Sequence, residues 1–261
     1  MQKTHSRCGE CGASEGGVRI QMAVFLTVWV ILVVCVGGGW VWYRQIWPAR
    51  PPQAMERSAK LSARDRDYAE EQYQLGLAHA EGRGVVQDDV LALRCYRNAA
   101  DRGHARAQYQ LGRMLGQGRG VTRDYDKAVA WYRRAAEQNL AEAQYYLCLM
   151  HEKGWGVSHD MDQALDWCRK SAAQGYVLAQ NHLGLVAEEG WYGVPVDYAE
   201  SAKWYRMTAE NGDAWAQFKL GQFYRDGKGV PADPHEAARW LRLSAAQGNG
   251  EAQKALADAG L

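Results

Sequence analysis

The chain has 261 residues, with 31 Lys and Arg against 30 Asp and Glu, and 47% of its residues are hydrophobic. A net charge of +1 lacks the basic surplus of proteins that coat phosphate backbones, which argues against bulk nucleic-acid binding. The composition also excludes intrinsic disorder, and six cysteines are too few for a disulfide-stapled small domain.

Residues 1–21 are polar, Gly-rich and without periodicity, and they predict a disordered tail. His5, Cys8 and Cys11 have the spacing of zinc ligands, but no fourth ligand follows nearby, so we predict no metal site in the tail. Whether Met22 is the true start of the protein stays open.

The segment Met22–Tyr43 has 22 residues without a charge and predicts a transmembrane helix. Trp40 and Trp42 near its end favour the headgroup layer. A cleaved signal peptide is an alternative, but the apolar run exceeds the usual length and no cleavage site follows it. A lipoprotein signal at Cys35 is another alternative, although Val34 is too bulky for that motif and the sequence stays apolar after Cys35.

Residues 44–68 form a connector, Pro-containing at first and of mixed charge after that. Three Lys and Arg lie in residues 1–21 and five in residues 44–64, which marginally favours a cytoplasmic C-terminal domain.

An internal repeat begins at about residue 69 and continues to residue 261. The pair Leu75-Gly76 recurs, with one or both residues kept, every 36 or 37 residues up to Leu256-Ala257. The repeats are predicted at 69–104, 105–140, 141–176, 177–213 and 214–249, with a polar capping helix at 250–261.

Each repeat predicts two antiparallel helices, A and B. Helix A ends at the first glycine of a Gly-x-Gly-Val connector, where a left-handed residue stops a helix. An aspartate then caps helix B at its N-terminus, at Asp88, Asp124, Asp160, Asp197 and Asp233. No repeat can bury its apolar face alone, so the predicted fold class is an all-α solenoid with a continuous core.

These motifs resemble the Sel-one-like repeat, a relative of the tetratricopeptide repeat. The resemblance rests on the 36-residue period, the Ala-Gln-x-x-Leu-Gly of helix A, the connector motif and the Trp-Tyr-Arg-x-Ala-Ala of helix B. It implies an adaptor or scaffold for protein complexes, often exported or membrane-associated in bacteria. The departures are Cys148 in place of Gly, Asn181-His182 in place of aromatic residues, and an extra residue in the loop 190–193.

No catalytic motif is found: the chain lacks a His-Glu-x-x-His, a Gly-x-Ser-x-Gly and a P-loop lysine. We therefore predict no catalytic residues, no cofactor and no metal. The predicted partners are other proteins or extended peptides, not nucleic acid.

The resemblance to tetratricopeptide solenoids places one face of helix A in a binding groove. The groove positions form a ladder of Tyr73, Tyr109, Tyr145, Asn181 and Phe218. Arg113, Trp215 and Arg225 match other groove positions of that family. Packing between neighbouring A helices is an equally weighted interpretation of these rings.

The connectors offer a second candidate surface. Trp155 and Trp191 fall in neighbouring loops, with Tyr192 beside Trp191, and large rings on loops are enriched in contact hot spots. An alternative is that these rings only cover the core.

Cys148 and Cys168 occupy helix-A and helix-B core positions of the same repeat. We expect them to come within disulfide reach and to bond if the domain is exported; two buried free thiols are the alternative.

The sequence thus predicts a single-pass membrane protein whose solenoid binds other proteins without catalysis. The side of the membrane stays open, because the charge count favours the cytoplasm and the family resemblance favours export. Two alternatives are a hydrolytic or β-lactam-binding enzyme, which the resemblance suggests, and a cell-envelope polysaccharide-binding module, which the loop aromatics suggest.

Overall fold

In a computed structural model of the chain, residues 53–259 are described, with side chains from Ser62 onward. The predicted tail and transmembrane helix, and the first part of the connector, lie outside these residues. Within residues 53–259, no helix combines the length and the apolar composition needed to cross a bilayer.

The described residues form eleven α-helices and no strand. Their bounds are α1 Gln53–Glu81, α2 Asp89–Ala100, α3 Ala105–Gln117, α4 Tyr125–Glu137, α5 Ala141–Lys153, α6 Met161–Ala173, α7 Val177–Glu189, α8 Tyr198–Glu210, α9 Ala214–Asp226, α10 Pro234–Ala246 and α11 Gly250–Asp258. A 3₁₀ turn, Trp191–Gly193, follows α7. Each helix packs on the next along the chain, which gives five helix pairs and one final helix and confirms the predicted α-solenoid.

The first helix is longer than a repeat requires. Helix α1 starts at Gln53, so residues 53–68, which the sequence analysis assigns to the connector, are helical. The stretch between Gln53 and Leu75 contains no Gly or Pro and is rich in Ala, Glu, Arg and other strong helix formers. Glu71 lies exposed on α1, at a position where later repeats have a fully buried alanine.

The helix ends follow the predicted signals. All five connector aspartates accept hydrogen bonds from backbone N–H groups of the helix that follows, as Asp197 does from Ala199 and Glu200 at 2.9 Å. The glycine that ends helix A is left-handed in each repeat, for example Gly154 with φ 66°. These local interactions stop one helix and start the next, which is why the 36-residue period fixes the helix bounds.

Small residues of helix A face large residues of helix B in four of the five repeats. A Cβ atom at Gly184 would lie 2.5 Å from the ring of Tyr205, and one at Gly112 would lie 2.8 Å from Tyr132. The glycines at these positions let the two helices approach closely. The third repeat differs, because Cys148 and Cys168 occupy the corresponding positions there.

Buried glutamines connect neighbouring repeats. The glutamine after the first buried alanine of helix A donates its side-chain N–H to a carbonyl near the end of the preceding helix B, as Gln108 does to Ala100 at 3.1 Å. Its own side-chain oxygen accepts a hydrogen bond from the glutamine at the end of helix B of its own repeat; Gln138 donates to Gln108 at 2.7 Å. The Ala-Gln motif is visible in the sequence, but this role of the glutamine is not.

Candidate protein-binding site

The predicted groove ladder lies at the contacts between successive A helices. Tyr73 is buried and stacks on His104, the N-cap residue of the next A helix, with ring centroids 4.6 Å apart. Tyr109 packs edge-on against Tyr146 at 5.4 Å, and Tyr145 contacts the next repeat in the same way. These rings therefore take part in repeat-to-repeat packing, which leaves less of each ring for a partner than the sequence pattern alone indicates.

The two non-tyrosine positions of the ladder are also partly buried. Asn181 donates to the carboxylate of Asp213, the N-cap of α9, at 3.1 Å, and it accepts from Thr208 at 2.7 Å. Phe218 lies half-buried on α9. The Asn181 side chain is thus held in place by the helices around it.

The other three predicted groove residues have different environments. The guanidinium of Arg113 lies 5.7 Å from the centre of the Tyr109 ring, and its buried Nε has no hydrogen-bond partner. Trp215 packs edge-on against Tyr205 at 5.2 Å. Arg225 is exposed and pairs with the adjacent Asp226 at 2.7 Å. Arg113 therefore contacts the ladder at Tyr109, whereas Arg225 pairs with its own neighbour in the sequence.

The connector tryptophans are more exposed than the ladder residues, which are buried or partly buried. Trp155 is 44% exposed and Trp191 is 42% exposed. Trp155 stacks on Tyr125, with centroids 5.3 Å apart and planes 11° apart. The ring centroids of Trp191 and Tyr192 lie 6.3 Å apart, and the two residues line a shallow pocket together with Glu152 and Lys153. We call Trp155, Trp191 and Tyr192 the aromatic edge.

The extra residue in the fourth connector explains why this loop differs. In a regular connector the second glycine presses on the helix B of the preceding repeat, so that a Cβ at Gly156 would lie 2.5 Å from the carbonyl oxygen of Tyr125. No atom lies within 4 Å of a Cβ built on Gly193, the corresponding glycine of the longer loop. The second glycine of this loop thus makes no close contact with helix B of the preceding repeat, and Tyr192 adopts a left-handed conformation with φ 61°.

Tyr192 instead contacts the A helices of the third and fourth repeats. Its hydroxyl lies 2.9 Å from Nε2 of His182, and the two rings are stacked. The same Nε2 atom lies 3.6 Å from a carboxylate oxygen of Glu152. Burial, with the nearby Glu152 carboxylate adding to it, raises the pKa of the Tyr192 phenol well above its usual range.

Cys148 and Cys168 lie directly beneath this contact. They are 1% and 0% exposed, and both are free thiols in the structure. One ligating atom each from Cys148, Cys168 and His182 lie within 4.8 Å of one another. We call Cys148, Cys168, His182, Glu152 and Tyr192 the junction cluster. The predicted disulfide pair is therefore close in space, and the bond itself stays a prediction.

The junction cluster does not have the features of a nucleophilic site. An activated cysteine is partly exposed and has a lowered pKa, because the thiolate is the reactive form. Here the hydrogen bond with Cys148, together with burial, raises the pKa of the Cys168 thiol. Burial also lowers the pKa of His182, which favours the neutral imidazole.

Sequence reasoning missed Glu152 and Lys153, and it named His182 only as a departure from the repeat. The available signal was helical spacing, because Glu152 follows Cys148 by one helical turn and therefore shares its face. Which residue of the next repeat meets that face depends on how two repeats pack, and the spacing does not reveal this.

Comparison with known proteins identifies the repeat. A family model described as the Sel1 repeat matches residues 72–104, 105–140, 141–176, 177–213 and 216–249. Among solved structures, c5321, a protective antigen of uropathogenic Escherichia coli with an SLR fold, is 37% identical with a TM-score of 0.68. The match covers 77% of this chain and 42% of c5321, so this chain spans less than half of that antigen.

A Sel1 repeat protein from Oxalobacter formigenes is 34% identical, also with a TM-score of 0.68. The match covers 72% of this chain and 76% of that protein. No curated protein matches the chain.

Proposed function

The chain belongs to the Sel1 repeat family, and from that premise we propose that it is a membrane-anchored adaptor, which binds other proteins through its solenoid and catalyses no reaction. The segment Met22–Tyr43 supplies the anchor in this proposal, because an uncharged run of that length spans a bilayer as a helix. The proposal leaves the side of the membrane open.

The exposure of Trp155 and Trp191 is the observation that carries the binding role. A large ring that stays two-fifths exposed keeps apolar area in water, and burial of that area by a partner is favourable by about 25 cal/mol per Å². Tryptophan is also among the residues most enriched in binding hot spots. The aromatic edge is therefore the proposed contact surface.

The neighbours of the aromatic edge add polar groups to this surface. Lys153 pairs with Glu152 at 2.5 Å, and both residues line the shallow pocket beside Trp191. Rings surrounded by charged groups are typical of an interface core with a polar rim. A protein segment with an apolar side chain and a flanking charge fits this arrangement.

The test compares two double variants of the tagged full-length chain in the organism that encodes it. We expect Trp155→Ala with Trp191→Ala to reduce recovery of cross-linked partner protein more than tenfold, since each hot-spot ring contributes about 2 kcal/mol or more. The matched control is Met207→Ala with Leu243→Ala, which removes side chains 45% and 43% exposed on helices α8 and α10.

Circular dichroism establishes that both variants are folded. Equal recovery of partner with the wild type and with the Trp155 and Trp191 variant would refute the aromatic edge as the binding surface. An equal loss in the control variant would also refute it, because the effect would then not be specific to this edge.

A further inference from the structure

The junction cluster brings together the departures of the third and fourth repeats from the common pattern. In the other repeats a glycine of helix A faces a tyrosine or leucine of helix B, whereas Cys148 faces Cys168 here. The next A helix supplies His182, and the one-residue-longer loop supplies Tyr192. Residues that depart from the repeat in four separate places of the sequence thus meet at one point of the fold.

We propose that the junction cluster is a binding site for a zinc ion, with Cys148, Cys168 and His182 as its ligands. Two thiolates and an imidazole are the donor set that Zn²⁺ prefers. Tetrahedral zinc, with Zn–S bonds of about 2.3 Å and a Zn–N bond of about 2.0–2.1 Å, places its ligand atoms about 3.5–3.8 Å apart. The three atoms already lie within 4.8 Å of one another, so each pair needs to close by about 1.3 Å at most.

The three ligands come from three successive helices with well-defined neighbours. Cys148 is on α5, Cys168 on α6 and His182 on α7, so an ion joins both helices of the third repeat to the fourth repeat. Helical backbones hold the ligands more precisely than loops do.

Glu152 and Tyr192 surround the histidine as partners of a metal ligand usually do. A ligating histidine typically has a carboxylate, carbonyl or water at its second nitrogen, which fixes the orientation of the ring. Nε2 of His182 lies 2.9 Å from the Tyr192 hydroxyl and 3.6 Å from a carboxylate oxygen of Glu152, so the zinc is assigned to Nδ1, which leaves these two groups beside the second nitrogen. That Glu152 oxygen is buried and has no hydrogen-bond partner, so it is available to accept a hydrogen bond from Nε2–H of His182 when zinc binds at Nδ1, and Glu152 would then act as a positioning residue.

The corresponding junction between the fourth and fifth repeats shows what an ordinary contact looks like. There Lys219 replaces the histidine and forms an ion pair with Glu188 at 2.9 Å, while Tyr205 donates to the same glutamate at 2.7 Å. A lysine and a glutamate satisfy each other without a metal. In the third and fourth repeats, Cys148, Cys168 and His182 replace that lysine and tyrosine arrangement. All three side chains can coordinate the same zinc ion.

The shallow pocket lies next to the proposed site. Glu152 and Tyr192 belong both to the junction cluster and to the lining of this pocket, which opens beside Trp191, and they separate it from the three ligands. Lys153, paired with Glu152, offsets part of the negative charge that two thiolates and a carboxylate bring to the site.

The test is a zinc titration of the full-length chain, purified in mild detergent with a thiol reductant and stripped of metal. The chain carries Cys8→Ser and Cys11→Ser, which removes the other zinc-like spacing. We expect one Zn²⁺ to bind per chain, as measured by competition with a chromophoric chelator. The absorption spectrum of the Co²⁺-loaded chain should show thiolate charge-transfer bands and the d–d bands of tetrahedral coordination. Zinc at 100 times its Kd should raise the Tm by roughly 5–10 °C.

The variants separate ligation from folding. His182→Ala and Cys168→Ser should abolish the binding, and Glu152→Gln should weaken it by about 10–100-fold. Cys148→Gly with Cys168→Tyr restores the glycine and tyrosine pair of other repeats, so it should fold and bind no zinc. Cys95→Ser, which removes a buried thiol far along the chain, should bind zinc as the wild type does.

Three results would overturn the proposal. The first is a reduced chain that binds no zinc, and the second is equal binding by the Cys148→Gly and Cys168→Tyr variant. The third is a disulfide between Cys148 and Cys168 in protein isolated from its source, which thiol labelling after denaturation without reductant would reveal. That third result would confirm the disulfide hypothesis in place of the metal.

Discussion

Asn211→Gln is expected to stabilise the solenoid by completing its chain of buried glutamines. Gln144 and Gln217 each accept a hydrogen bond from a glutamine at the end of helix B, Gln174 at 2.7 Å and Gln247 at 2.8 Å. In the fourth repeat the corresponding residue is Asn211, one methylene shorter. The side-chain oxygen of Gln180, which would accept this bond, is buried and has no partner.

The magnitude follows from the cost of that unpartnered oxygen. A buried acceptor without a hydrogen bond costs about 1–3 kcal/mol, and fixing the longer side chain offsets part of the gain. We expect a net stabilisation of about 1 kcal/mol, which corresponds to a rise in Tm of roughly 2–4 °C for a domain of this size. The reverse change, Gln174→Asn, removes the partner of Gln144 and should destabilise by a similar amount.

Thermal unfolding followed by circular dichroism measures the effect, and a double-mutant cycle assigns it. In a Gln180→Ala background the acceptor is absent, so Asn211→Gln should leave the Tm unchanged. The difference between the two backgrounds is the coupling energy of the pair. An equal rise in both backgrounds would refute the reasoning, because the gain would then come from helix propensity or solvation at residue 211.

Two further predictions concern glycines. Gly184→Ala should destabilise the domain by about 1–3 kcal/mol, because the new Cβ would lie 2.5 Å from the ring of Tyr205. Gly250→Ala is the control, since a Cβ there has no atom within 4 Å. Equal Tm values for the two variants would contradict the prediction. Gly156→Ala and Gly193→Ala both place alanine at positive φ, but only the first presses on the preceding repeat. Chemical denaturation should therefore show a larger loss for Gly156→Ala, and a loss of the same size in both variants would show that the inter-repeat contact contributes nothing.

The helix bounds could be predicted because their signals are local. Gly154 ends α5 and Asp160 begins α6 through interactions with backbone groups a few residues away. The residues that make such interactions lie at fixed positions relative to the helix ends, so the sequence reveals them directly. The start of α1 at Gln53 could not be placed in the same way, since residues 53–68 favour a helix by composition but carry no repeat motif.

The candidate sites depend on contacts that the period does not encode. The approach of Cys148 to Cys168 could be predicted, because both positions belong to one helix pair. The participation of His182 and Tyr192 required the packing of one repeat on the next and the path of a loop that departs from the common pattern. For the same reason, the sequence could not show how much of Tyr73 is buried against His104.

A solenoid allows this kind of local specialisation at little risk to its fold. Each repeat contacts only its neighbours, so a change at one junction leaves the remaining junctions as they are. The third and fourth repeats therefore carry two thiols, a histidine and a longer loop, while the glycine and tyrosine packing persists at Gly112 and Gly184. A variant that returns this junction to the common pattern should remove the metal site without unfolding the domain, and any change in partner binding would then report on the junction itself.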